Sequence, residues 1–126
     1  MAKTVVLVTG DLMAGSQAEG AARAAGVTLR TVGAAKVAEA VESAQPALVV
    51  FDLSSPTNLA DAVAAIRAAS PQTVIAAYGP HVQEKRLEAA QAAGCDLVMT
   101  RGQFHRQAAE VFARYAASGE GELPST

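Results

Sequence analysis

Five short apolar runs alternate with five alanine-rich stretches along the chain. The apolar runs are continuous, and such runs are typical of parallel strands that are covered on both faces. In the stretches between them, apolar residues recur every three or four positions, which predicts helices. The pattern therefore predicts an α/β fold in which strands and helices alternate as (βα)5.

The predicted bounds follow from these runs. Strands are predicted at Thr4–Val8, Val27–Val32, Ala47–Phe51, Thr73–Ala77 and Leu97–Met99, and helices at Ser16–Ala25, Ala35–Ala44, Leu59–Ala69, Val82–Ala93 and Phe104–Ala117. Gly26 and Gly94 stand where helix ends favour a left-handed residue. Right-handed crossovers favour a doubly wound, five-stranded parallel sheet of order 2-1-3-4-5, with the first and fifth helices on one face and the other three on the opposite face.

The composition points to one domain. The chain has 126 residues, a net charge of −2 and scattered basic residues, which disfavours binding to nucleic acid or to an anionic membrane. No apolar run has the length of a membrane span, and Cys95 is the single cysteine. We expect a cytoplasmic protein with a domain at residues 1–117 and a disordered C-terminal tail at 118–126.

Polar residues stand at the carboxyl ends of four predicted strands. They are Asp11, Asp52, the pair Tyr78-Gly79 and the pair Thr100-Arg101. The carboxyl ends of parallel strands share one edge of the sheet, where ligands of such folds usually bind. His81, His105 and Cys95, by contrast, show no metal-ligand spacing. The strand ends are therefore the candidate site.

Two stretches, ALVVFDLSSP at 47–56 and AAGCDLVMTRGQF at 92–104, resemble the receiver domains of two-component response regulators. The resemblance extends over about residues 3 to 117. It implies a flavodoxin-like fold and a phospho-acceptor at Asp52, which would receive a phosphoryl group from a histidine kinase or a small phosphodonor. It also implies a Mg²⁺ ion held by this aspartate, an acidic pair after the first strand and a backbone carbonyl. A lysine and a switch Ser/Thr contact the phosphoryl group in that family.

The chain departs from the receiver pattern at three places. The segment VTGD keeps only Asp11 of the acidic pair, so Asp11 and Asp52 are expected to bind Mg²⁺ weakly at best. Tyr78 or Gly79 stands at the switch position. Arg101 stands at the lysine position, and its rigid guanidinium is not interchangeable with an ammonium group.

These departures leave several roles open for Asp52. It could accept a phosphoryl group, form a permanent ion pair with Arg101, cap the loop that follows its strand, or remain solvated without a strong partner. The functional expectation is a stand-alone, receiver-like interaction module that is not an enzyme and needs no cofactor. The alternatives are a functional receiver that uses Mg²⁺ and, as a minor one, a small-molecule binder at the strand ends.

The resemblance also suggests where a partner would bind. Receivers often dimerise or dock partners through the fourth helix, fifth strand and fifth helix. In this chain the interface candidates on that surface are Gln103, Phe104 and Tyr115. We expect a protein partner or self-association there, including a possible homodimer.

Overall fold

The computed structural model describes residues 3–55 and 58–117. Five parallel strands form one sheet of order β2-β1-β3-β4-β5, which confirms the predicted fold class and strand order. The strands are β1 Thr4–Val8, β2 Thr28–Val32, β3 Leu48–Asp52, β4 Val74–Gly79 and β5 Leu97–Thr100. The helices are α1 Leu12–Ala25, α2 Val37–Ala44, α3 Leu59–Ala69, α4 Glu84–Ala92 and α5 Arg101–Phe112. The predicted tail at 118–126 lies outside the described residues.

Each face of the sheet carries its own core. Successive side chains of a strand point to opposite faces, so Val5 and Leu7 of β1 pack with α1 and α5. Val6 and Val8 of the same strand pack with α2, α3 and α4. Strands β1 and β3 are buried along almost their whole length, because both faces of the sheet are covered. This arrangement confirms the predicted distribution of the helices.

Two helices begin earlier than predicted, and both do so because of a capping residue. The Asp11 side chain accepts a hydrogen bond from the Met13 N–H at 2.9 Å and starts α1 at Leu12 rather than at Ser16. Thr100 and Gln103 form a reciprocal capping box that starts α5 at Arg101 rather than at Phe104. The beginnings of both helices therefore lie beside the carboxyl ends of the strands.

Other bounds shift by smaller amounts. Helix α2 is preceded by a 3₁₀ turn at Ala34–Lys36, and α5 continues into a π-helical turn at Ala113–Ala117. Strand β4 extends through Tyr78 to Gly79, because these residues pair with neighbours in β3 and β5. Gly26 and Gly94 adopt the predicted left-handed conformation. Over residues 3–55 and 58–117, no helix combines the length and apolar character that crossing a membrane requires.

Candidate functional site

A pocket of about 300 Å³ opens at the carboxyl ends of the strands, between the first turns of α1 and α5. Four residues predicted for the site line it together: Asp11, Asp52, Tyr78 and Arg101. The pocket is completed by residues that the sequence analysis did not place there, namely Met13, Ala14, Gln17 and His105. The predicted residues thus lie together at the carboxyl ends of the strands, on the face of the sheet that α1 and α5 cover.

Asp52 is the last residue of β3 and is only 3% exposed. Its Oδ2 accepts a hydrogen bond from the Thr9 hydroxyl at 2.7 Å, and its Oδ1 accepts one from the Ser54 N–H at 2.9 Å. The Ser54 bond is the loop-capping contact that the sequence analysis kept open for this carboxylate. The Thr9 contact was not predicted. Asp52 is therefore a buried carboxylate whose hydrogen-bonding capacity is already partly used.

The ion pair between Asp52 and Arg101, one of the roles left open for this carboxylate, is not formed among the described residues. Among residues 3–55 and 58–117, the acidic and basic side chains form two ion pairs, Lys36 with Glu39 and Arg67 with Asp96. Arg101 Nη2 instead donates to the Ser54 hydroxyl at 2.5 Å. The physical reason is that Arg101 opens α5 at the rim of the pocket and reaches the exposed loop after β3 before the buried end of that strand.

Asp11 contributes a second carboxylate, which also caps the N-terminus of α1. Its Oδ1 caps α1 through the Met13 N–H, and its own N–H donates to the Thr9 hydroxyl at 3.0 Å. Mg²⁺ requires near-octahedral oxygen ligands. The described residues contain no group of three or more His, Cys, Asp or Glu side chains that could hold a metal ion. Asp11 and Asp52 already accept hydrogen bonds, so the oxygen ligands available here do not fit a well-formed Mg²⁺ site.

Tyr78 lies at the end of β4 and is 1% exposed. Its ring stacks on Phe104, with 4.4 Å between ring centroids and 4° between the planes. Its hydroxyl makes no hydrogen bond within the described part of the chain. Burial, and then the charge of Asp52, raise the pKa of Tyr78 well above its usual value. The phenol is therefore a neutral, buried group beside Asp52, close enough for the carboxylate to act on its proton but without the geometry of a hydrogen bond.

Gly79 is closed to a larger side chain. A Cβ atom at this position would lie 3.2 Å from Leu53 Cβ and 3.7 Å from Leu87 Cδ2. A Ser or Thr at Gly79 would therefore force Leu53 or its loop to move. Neither Tyr78 nor Gly79 can supply a short, mobile hydroxyl at the switch position in this conformation.

The loop after Asp52 is tied to three neighbouring elements. The Leu53 carbonyl accepts a hydrogen bond from Arg86 Nη1 of α4 at 2.7 Å, and the Ser55 hydroxyl accepts one from the Gly10 N–H at 3.0 Å. Arg101 of α5 holds Ser54, as described above. Because each residue of the loop 53–55 has a partner on a different element, the loop is fixed around the carboxylate.

The interface candidates differ in how far they reach solvent. Phe104 is 1% exposed and belongs to the core, so its assignment to an interface is wrong in this conformation. Gln103 is exposed, but its Oε1 accepts the Thr100 N–H in the capping box. Tyr115 is half-buried against the core. Among residues 3–55 and 58–117, the exposed large apolar side chains are Leu12, Met13 and Val82; Met13 lines the pocket, and Leu12 precedes it in the chain.

Comparisons with known proteins extend these findings. No family model and no curated protein match the chain. Solved structures do resemble it, and one is a response regulator from Hahella chejuensis, which is 21% identical and has a TM-score of 0.79 over 90% of this chain and 95% of its own.

Two further structures come from receiver domains with an occupied or modified site. The receiver domain of a sensor histidine kinase from Pseudomonas aeruginosa, with a magnesium ion in its active-site cleft, is 16% identical, with a TM-score of 0.77 over 91% of this chain and 98% of its own. The phosphorylated cyanobacterial phytochrome response regulator RcpA is 15% identical, with a TM-score of 0.76 over 99% of this chain and all of its own. This chain therefore has the fold of response-regulator receiver domains.

Proposed function

We propose that this chain is a receiver-like signalling domain that acts as a protein-interaction module and does not depend on phosphorylation of Asp52. The observation that carries the proposal is the environment of Asp52, which binds the Thr9 hydroxyl and the Ser54 N–H and has no ion pair among the described residues. In this function the domain is not an enzyme, and it works in the cytoplasm by contact with a protein partner or with a second copy. The surface of α4, β5 and α5, with Gln103 and Tyr115, is one candidate for that contact.

Electrostatics support the proposal. A carboxylate that attacks a phosphoryl group needs nearby positive charge, because both groups are anionic and the transition state is stabilised mainly by electrostatics. Here the guanidinium of Arg101 is bound to Ser54, and Asp11 caps α1. The site therefore lacks both a well-formed metal site and a cation placed against Asp52.

The surroundings of the switch position support it as well. A side chain at Gly79 would press against Leu53, and the Tyr78 ring is stacked on Phe104 in the core. A phosphoryl group on Asp52 would have no short Ser or Thr hydroxyl at this position with which to form a hydrogen bond. This supports a function in which phosphorylation of Asp52 triggers no conformational response.

Intact-mass spectrometry after incubation with acetyl phosphate and Mg²⁺ tests the proposal. Loss of one well-placed charge stabiliser costs about 10² to 10³ in rate. Because a metal carboxylate, the lysine and the switch hydroxyl are all replaced, we expect no gain of mass in the wild-type chain, as in Asp52→Asn. A Mg²⁺-dependent gain of one phosphoryl group that Asp52→Asn abolishes would instead establish the second candidate, a functional receiver. That candidate has its support in the fold and in the phosphorylated and Mg²⁺-bound structures that resemble this chain.

A gain-of-function variant sharpens the same test. The Thr9 hydroxyl lies 2.7 Å from Asp52 Oδ2, so a carboxylate at this position would lie beside Asp52 and add an anionic oxygen ligand. Thr9→Asp should therefore bind Mg²⁺ more tightly than the wild type in a calorimetric titration. Thr31→Asp, which adds the same charge at an exposed position of β2, is the matched control. Equal gains in both variants would show that the added charge, and not a ligand beside Asp52, strengthens Mg²⁺ binding.

A further inference from the structure

Oxygen atoms without a cationic partner line the pocket between α1 and α5. Asp11 and Asp52 form no ion pair in the described ranges 3–55 and 58–117, and Arg101 donates to Ser54 at the rim. Two carboxylates and one guanidinium line the pocket, so its acidic side chains outnumber the basic one. The pocket is therefore complementary to a positively charged group.

The buried hydroxyl of Tyr78 is an independent sign of a ligand. Tyr78 lines the pocket, is 1% exposed and has no hydrogen-bond partner in the part of the chain that the structure describes. Tyr78 is the register partner of Asp52 between β3 and β4, and both residues line the pocket with Asp11 and Arg101. If it donates to Asp52, its oxygen remains free to accept an N–H from a ligand.

An apolar surface adjoins this polar centre. Leu12 and Met13 begin α1 and are 90% and 66% exposed, and Met13 also lines the pocket. Protein interfaces commonly place a charged anchor in a pocket and surround it with contacts that exclude water, and arginine is enriched among such anchors. The two exposed side chains are placed to form part of that surround.

We propose that this pocket receives an arginine side chain of a partner protein, with apolar residues next to that arginine packing on Leu12 and Met13. This inference rests on the proposed function for the existence of a partner and names its chemistry. A guanidinium presents five donors in a planar fork, so it can bind Asp52, Asp11 and the Tyr78 oxygen at the same time. Its charge also complements the excess of acidic side chains in the lining.

The first experiment titrates the ¹⁵N-labelled full chain with N-acetylarginine amide and follows amide shifts by NMR. N-acetylcitrulline amide is the matched probe, because it keeps the shape of arginine and removes its charge. We expect saturable shifts at Asp11 to Gln17 and at Asp52 to Ser55, with at least about tenfold weaker binding of the citrulline probe. Shifts that are absent, or equal for the two probes, would overturn the proposal.

Variants locate the binding site. Asp52→Asn and Tyr78→Phe should each weaken binding of N-acetylarginine amide by about fivefold or more, because each removes a group that contacts the guanidinium. Asp61→Asn, which neutralises an exposed acid in the first turn of α3, should leave the affinity unchanged. Equal losses in Asp52→Asn and Asp61→Asn would show attraction by overall charge and not by the pocket, and an unchanged affinity in Tyr78→Phe would show that the phenol does not contact the guanidinium. Either result would overturn the assignment.

A peptide probe tests the apolar surround. Acetyl-Leu-Arg-Leu amide should bind about threefold or more tightly than N-acetylarginine amide, because its leucines bury apolar area against Leu12 and Met13. The double variant Leu12→Ser/Met13→Ser should remove this gain, whereas Val82→Ser, at another exposed apolar position, should keep it. A gain that survives the double variant would contradict this part of the proposal.

The two proposals fail in different ways. Uptake of a phosphoryl group from acetyl phosphate would overturn the proposed function and leave the arginine titration as it stands. Failure of the titration would remove the pocket as a docking site and leave the mass-spectrometric result unchanged.

Discussion

Polar side chains at the two ends of the sheet differ in how completely they are hydrogen-bonded or ion-paired. At the amino ends of β4 and β5, Asp96 pairs with Arg67 at 3.0 Å and also accepts the Ile75 N–H at 2.9 Å. The hydroxyls of Ser70 and Thr73 bind each other at 2.6 Å, and Thr73 donates to the Pro46 carbonyl. Each of these polar groups has a partner, and for the buried Ser70 and Thr73 the cost of an unsatisfied hydroxyl requires one.

At the carboxyl ends of the strands the polar groups are left incompletely matched. Asp52 is more buried than Asp96 and yet has no cation, and the Tyr78 hydroxyl has no partner within the described residues. The guanidinium of Arg101 binds a hydroxyl instead of a carboxylate. The amino end thus shows how this fold stabilises a carboxylate, and the carboxyl end is where the proposed partner would supply the missing contacts.

The largest effect on the free energy of unfolding is expected at the amino ends of the strands, where the polar groups are paired. Arg67 donates to the Thr73 and Gly94 carbonyls and to Asp96, so Arg67→Ala removes three contacts and leaves their acceptors without this donor. Because the side chain is 37% exposed, water replaces part of the loss, and we expect the free energy of unfolding to fall by about 2 to 3 kcal/mol in urea denaturation.

Lys36→Ala is the control for that measurement. Lys36 pairs with Glu39 at 3.8 Å, with both side chains more than 70% exposed. Surface pairs of this kind contribute little, so the change should stay within about 0.5 kcal/mol. A similar loss in both variants would mean that the amino end is no better matched than the surface.

The next effect concerns the closed switch position. Gly79→Ser should lower the free energy of unfolding by about 1 to 2 kcal/mol, because the new Cβ approaches Leu53 Cβ to 3.2 Å in a packed environment. Gly20→Ala in α1, where no atom lies within 4 Å of the added Cβ, should stabilise the protein instead. Full stability of Gly79→Ser would show that the loop after Asp52 moves easily and would weaken the case against a switch.

The fold could be predicted from the sequence because it depends on hydrophobic runs. The continuous run before Asp52 needs cover on both faces, and the sheet order follows from crossover handedness. Helix starts were harder, since the exposed Leu12 and Met13 blur the apolar pattern at the beginning of α1. The capping box of α5 was visible as Thr-x-x-Gln at Thr100 and Gln103, a signal that could have given the right start.

The candidate site was predictable only in part. The meeting of Asp11, Asp52, Tyr78 and Arg101 in one pocket could be predicted, because it depends only on which strand ends share an edge of the sheet. Individual hydrogen bonds depend on rotamers and on register. Val8 pairs with Phe51, so the next residues, Thr9 and Asp52, become neighbours, which is evident only once the two strands are aligned. The Ser54 partner of Arg101 depends on where α5 begins, and the late predicted start concealed it.

A smaller effect, of opposite sign, is expected from the unmatched phenol. Tyr78→Phe keeps the ring stacked on Phe104 and removes a buried hydroxyl that has no partner among the described residues. The free energy of unfolding should rise by about 1 kcal/mol, because the cost of burying that hydroxyl disappears. Tyr115→Phe, at a half-buried site, is the control and should change little. A loss of stability in Tyr78→Phe would show that the hydroxyl is matched after all, with Asp52 as its acceptor.

The smallest expected effect is on the pH dependence of stability and concerns Cys95, which lies beside Asp96 at the amino end of β5. Burial, and then the charge of Asp96, raise the pKa of the Cys95 thiol from 9.0 to about 11. Because the folded-state pKa is the higher one, the contribution to stability is complete below pH 9 and is lost as the pH rises toward 11. Cys95→Ala should therefore lose less stability than the wild type between pH 8 and pH 10, by less than about 1 kcal/mol after allowance for partial exposure. Identical pH profiles of the two proteins would show that water and Arg67 stabilise the thiolate enough to offset burial, and that the amino end is more polar than its hydrogen bonds indicate.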